Sequence, residues 1–147
     1  YLNRVADKVL NATDSTPMQS GPVGGCLNYG HPSEVPGDIK DKPNCKNPEG
    51  CLFCSQYRVH ADERDTRKLL SCRSCIQQTA SFSKSAETFL DVFGPVVARI
   101  DSLLDEIRQR DGGADMVAHI ENSVEEGDLD PYWARKMELL SNLGMLS

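Results

Sequence analysis

The sequence predicts an all-α fold: a helical bundle whose N-terminal half is loop-rich and stapled by cysteines around a metal. Three observations lead there. From Ser81 onward apolar residues recur at three- and four-residue steps. No run alternates convincingly as a strand should, and no internal repeat is present. Cys45, Cys51 and Cys54 fall within ten residues, NCKNPEGCLFC, on a Pro/Gly loop too poor in apolar residues to bury a core.

At 147 residues and 39% hydrophobic, the chain is of single-domain size with material for one modest core. Residues 1–80 divide into a short helix, a cysteine-rich metal-stapled loop and a following helix; residues 81–147 form the bundle, the whole being one compact domain. The sequence opens YLNRV without an initiator Met, as a segment of a longer protein would. Six cysteines are too few for a secreted disulfide scaffold, and neither a leader nor a long apolar run occurs. The expected compartment is the cytosol, where metal thiolates persist, and no membrane partner is expected.

Charge is unevenly spread. Lys+Arg against Asp+Glu number 6 and 6 over residues 1–60, 4 and 3 over 61–80, and 6 and 13 over 81–147, so the net charge of −6 sits in the last part. An acidic bundle repels phosphate, so any DNA contact falls to the neutral or basic part or to the parent protein.

Taken in order, residues 3–12 read as a short helix with Val5, Val9 and Ala12 along one side. Residues 13–50 hold six of the eight prolines and six of the eleven glycines, far longer than an ordinary connection. Either this is a linker or it wraps an ion, and Cys26 in GGCLNYGHP favours the ion. A helix follows over about 61–79, acidic at its start (Asp62, Glu63, Asp65) and basic later (Arg67, Lys68, Arg73), with Leu69, Cys72 and Ile76 inward.

Residues 85–110 carry the clearest stripe, Phe89, Phe93, Val96, Val97, Ile100, Leu103, Leu104 and Ile107, which Gly94-Pro95 should kink or split. Asp111-Gly112-Gly113 ends it. A further helix over 114–126 turns Val117, Ile120 and Val124 to one face. Asp130-Pro131 then supplies an N-cap and a proline at the first helical position, with Trp133, Met137, Leu140 and Leu143 inward and Gly144 as the stop.

Two four-thiolate sets are possible. Cys26, Cys45, Cys51 and Cys54 all lie on loop; Cys51, Cys54, Cys72 and Cys75 read C-x2-C-x17-C-x2-C, also a zinc spacing. Context favours the first, because Cys72 and Cys75 fall well inside a helix and the second set leaves residues 13–50 without an anchor. Zn2+ is the expected ion; an iron–sulfur cluster would use the same thiolates and is the lesser expectation. His31 and His60 flank the site but four thiolates suffice, and Cys54 with His60 lacks the third group a nucleophilic pair needs. His119 reads as an exposed helix residue. Arg58, Arg64, Arg67, Lys68 and Arg73 make the only basic cluster, read first as partners of Asp62, Glu63 and their neighbours and second as a phosphate contact.

The stretches GGCLNYGHP, PNCKNPEGCLFCSQYRVHADERDTRKLLSCRSCI and GDLDPYWARKMELLSNLG resemble the cysteine-rich C-terminal region that follows the tyrosine-recombinase-like core in large bacterial integrase-like proteins of mobile elements. The resemblance spans most of residues 24–144. It implies that Cys26, Cys45, Cys51 and Cys54 match that family's cysteine motif and share its metal site. No Arg…His-x-x-Arg constellation and no Gly-His before a nucleophilic tyrosine occur, so no catalytic role follows, and Tyr1 receives none.

The leading expectation is therefore a non-catalytic zinc-binding module of an integrase-like recombinase serving DNA integration. The second is a zinc-stapled protein-interaction module, self-associating through the 85–107 stripe. The third is a thiol enzyme or redox switch using Cys72 and Cys75.

Overall fold

The computed structural model describes residues 8–11, 18–26, 52, 57–79 and 86–142, without the side chains of 19–20, 86–92 and 140–141. The chain is mostly helical, but it is not all-α. Four short strands, β1 (Val9–Leu10), β2 (Gln19–Gly21), β3 (Gly24–Cys26) and β4 (Tyr57–His60), form one sheet in the order β1-β4-β3-β2. Four helices follow: α1 (Glu63–Thr79), α2 (Ala86–Arg108), α3 (Gly113–Glu125) and α4 (Pro131–Asn142). No helix among the described residues is long and apolar enough to cross a membrane.

The sheet corrects two expectations. Val9 and Leu10, assigned from periodicity to a helix over 3–12, instead pair in parallel with Val59 and His60. Lys8 of that stretch is helical, and residues 3–7 and 12 lie outside the described residues. Tertiary pairing outweighs a weak local pattern here: Val9 is buried against the core, the Leu10 carbonyl accepts from the Ala61 amide at 2.8 Å, and Arg110 donates to the Val9 carbonyl at 3.1 Å. In β4 the alternation is present but brief: Tyr57 and Val59 are buried, whereas Arg58 and His60 face outward in part.

Helix α1 is the hub. It packs against α2, α3 and α4 and also against β3 and β4, which explains why its sequence shows no clean stripe. Leu69, Leu70, Cys72, Cys75 and Ile76 are buried, and so are Asp65, Lys68 and Ser71. Those polar side chains each have a partner, as burial demands: Ser71 Oγ accepts from the Asp130 amide at 2.9 Å, and Asp65 from the His60 amide at 2.8 Å.

Around α1 the bundle follows the periodicity. Val96, Ile100, Leu103, Leu104 and Ile107 of α2, Val117, Ile120 and Val124 of α3, and Trp133 of α4 close one core with Val23, Leu52, Tyr57 and Val59. The α2 stripe from Val96 onward is thus spent inside the chain itself, which removes it as a surface for self-association. Gly94-Pro95 does not split α2; the helix runs through Pro95, whose ring is exposed. The proline forfeits one backbone bond, and the buried run that follows outweighs that loss.

The cations find acids, though not the local ones. Arg73 reaches Asp101 of α2 at 2.8 Å and Glu121 of α3 at 2.7 Å, tying three helices at one point. Burial alone would favour loss of the Arg73 charge, but these two hydrogen-bonded carboxylates hold its pKa above the ordinary value. Arg67 pairs with Asp128 beyond α3 at 3.2 Å, whereas Lys68 has a partner within its own helix, Asp65 at 3.5 Å, as does Arg108 in α2, with Asp105 at 2.6 Å.

Candidate functional site

The site begins at the β2–β3 turn, Pro22-Val23. Three consecutive carbonyls there accept hydrogen bonds from three separate elements. The Trp133 indole donates to Pro22 at 2.8 Å, the Tyr57 hydroxyl to Val23 at 2.6 Å, and the Lys68 ammonium to Gly24 at 3.4 Å. Gly24 has φ +149, and a Cβ there would stand 2.7 Å from the Arg58 carbonyl oxygen and 2.9 Å from the Tyr57 ring. Only glycine lets β3 come this close to β4. The turn is thereby fixed to the helical body.

Two residues on from that glycine, β3 ends at Cys26, half-buried and paired with Tyr57 of β4. Cys54 precedes Tyr57 by three residues, a reach of at most about 11 Å of extended chain. Leu52, between Cys51 and Cys54, is fully buried, and its carbonyl accepts from Arg99 Nε of α2 at 3.1 Å. The strand pairing and the Arg99 bond therefore tie Cys26, Tyr57 and Leu52 to the same body. Cys45, Cys51 and Cys54 themselves, and His31, lie outside the described residues.

Cys72 and Cys75 are buried at 0% and 4% exposure within the apolar core, and Cys75 Sγ donates to the Trp133 carbonyl at 3.8 Å. These are the surroundings of small buried hydrophobes. His119 is exposed on α3.

The sequence set His60 apart as a possible substitute ligand and as a nucleophilic partner of Cys54 that lacks a third group. In the structure its ring Nδ1 lies 3.2 Å from Asp65 Oδ2, and with Asp62 the three offer donor atoms within 4.8 Å of one another. The local bonding explains the grouping without an ion. Asp62 Oδ1 accepts the Asp65 amide at 2.8 Å, an N-cap bond at the start of α1, and Asp65 accepts in turn from His60. The Lys68 ammonium beside Asp65 opposes a further cation.

Beside the turn runs an open groove of about 690 Å³ that periodicity could not have located. It is lined by Gly21 and Pro22 of the turn, by Glu63, Arg64, Arg67 and Lys68 of α1, and by Asp130, Pro131 and Tyr132 at the start of α4. Asp130 is largely buried, its Oδ2 capping α4 through the Tyr132 amide at 3.1 Å. Tyr132 is 43% exposed and stacks edge-on against Trp133, ring centroids 5.0 Å apart. No protein-family model, curated protein or solved structure matches this chain.

Proposed function

We propose that this chain is an accessory, non-catalytic module of an integrase-like site-specific recombinase, folded around one Zn2+ held by Cys26, Cys45, Cys51 and Cys54. The observation that carries the proposal is the β3–β4 pairing, which sets Cys26 opposite Tyr57, a residue that follows Cys54 by three positions in the sequence. The position of Cys72 and Cys75 well inside α1, against Cys26 at the end of a strand, supports this ligand set over the one that would use them. Zinc bound here closes the long excursion between β3 and β4, a role worth about 10–16 kcal/mol in small zinc domains. The recombination context rests on the resemblance of residues 24–144 to the cysteine-rich region of such proteins.

The experiment is duplex DNA binding by the whole chain, followed by fluorescence anisotropy between about 50 and 200 mM salt. Binding that weakens steeply with salt and disappears when a chelator removes zinc is the expected result. A zinc-loaded chain with no affinity for DNA at low salt would instead leave a zinc-stapled protein-interaction module. The exposure of Tyr132 (43%) and Leu139 (57%) on α4 fits that second reading.

A further inference from the structure

The groove beside the β2–β3 turn has a chemistry of its own. Arg64 and Tyr132, both exposed, and Arg67, partly exposed, all line it. Asp130 is committed to capping α4, and Glu63 is the remaining acid in the lining. Lys68 is directed inward, to Gly24 and Asp65. Two arginines and an aromatic lining one open groove match a sugar–phosphate strand: forked N–H donors for the phosphate oxygens and a ring for the sugar or base.

One contact gives the groove a built-in competitor. Arg67 Nη1 lies 3.2 Å from Asp128 Oδ2, whose side chain is 71% exposed, while the same nitrogen donates to Ser123 Oγ and to the Asp128 carbonyl. An ion pair to so exposed a carboxylate is weak and screened. A phosphate can displace it, and Ser123 and the carbonyl keep the guanidinium in place meanwhile.

We infer that this groove is the DNA-contacting surface of the module, with Arg64 and Arg67 engaging the phosphate backbone, Tyr132 packing on the sugar or base, and Asp128 holding Arg67 until DNA arrives. The inference rests on the recombination reading above and names the surface that serves it. It locates DNA contact on a chain whose excess charge is negative.

The test measures DNA affinity against salt for the zinc-loaded whole chain and for Arg64→Gln, Tyr132→Ala and Asp128→Asn. Arg64→Gln is expected to weaken binding about eightfold near 0.1 M salt and to lower the salt slope by about one. Tyr132→Ala weakens binding with little change of slope. Asp128→Asn tightens binding, a gain that general destabilisation does not produce. Wild-type binding that none of these variants alters places the contact elsewhere and overturns the inference while sparing the recombination reading. No wild-type binding removes both. Capture of an oligo-glutamate peptide in preference to DNA assigns the groove to an acidic protein segment and equally overturns it.

Discussion

Trp133→Ala is expected to lower stability by about 3–5 kcal/mol, a fall in Tm of roughly 10 °C for a domain of this size. Trp133 is 1% exposed and is the largest fully buried side chain, so truncation leaves a cavity at the meeting of α4, α1 and the β2–β3 turn. It also orphans the Pro22 carbonyl, which accepts the indole N–H at 2.8 Å. Trp133→Phe separates the two effects, since it keeps most of the bulk and loses only the donor, and it is expected to cost about 1–2 kcal/mol. Chemical denaturation of the zinc-loaded chain reads both. A full-sized loss in the phenylalanine variant would mean that the bond to the turn, rather than the packing, dominates. The same residue bears on function, because the turn it grips leads directly to Cys26 and lines the groove.

The second large effect is expected at the α2–α3 junction. A Cβ on Gly113 would lie 1.9 Å from the Ile107 carbonyl oxygen and 2.9 Å from its carbon. Both are backbone atoms of the last turn of α2, so no rotamer change relieves the clash. The Gly113 amide also donates to the Arg110 carbonyl at 2.8 Å, which holds the turn shut. Gly113→Ala must open this turn and shift α3, whose Val117, Ile120 and Val124 are buried in the core. A loss of about 3 kcal/mol is expected. Gly112→Ala, one residue earlier, meets open space and suffers only the left-handed backbone at φ 68, a cost of about 1 kcal/mol. Thermal unfolding of the two variants side by side should rank them in that order; equal losses would mean that the turn yields easily.

These two sites show what the sequence could and could not reveal. Asp130-Pro131 predicted the start of α4, and the Asp130 carboxylate indeed caps it. The stripes predicted the buried Val96, Ile100, Leu103, Leu104 and Ile107 of α2, Val117, Ile120 and Val124 of α3 and Trp133 of α4, because a helix packed on one side shows its burial as a period, while Phe89, Leu140 and Leu143 lie outside the described side chains. Helix α1 defied that logic by packing on several sides, which buries Asp65, Lys68 and Ser71 together with its leucines.

The sheet was hidden for the opposite reason. Its strands are two to four residues long, and β2 and β3 read QSG and GGC, with no β-branched residue to signal them. Their pairing is set by Tyr57, Trp133 and Lys68, which lie far along the chain from the residues they hold. The basic cluster was legible as cations in need of acids. Its partners Asp101, Glu121 and Asp128 belong to other elements and follow no local spacing. The cysteine spacing gave two candidate sets. The structure places Cys26 beside β4 and Cys72 and Cys75 in the core, and Cys45, Cys51 and Cys54 lie outside the described residues.

The central claim is the identity of the four ligands, and metal content measured on the purified chain under reducing conditions tests it most directly. Wild type, Cys26→Ser, Cys51→Ser and Cys75→Ser are compared by elemental analysis. One zinc per chain is expected in wild type and in Cys75→Ser, with loss of the metal in Cys26→Ser and Cys51→Ser. A wild-type chain without metal, or zinc that survives Cys26→Ser and vanishes with Cys75→Ser, would contradict the account.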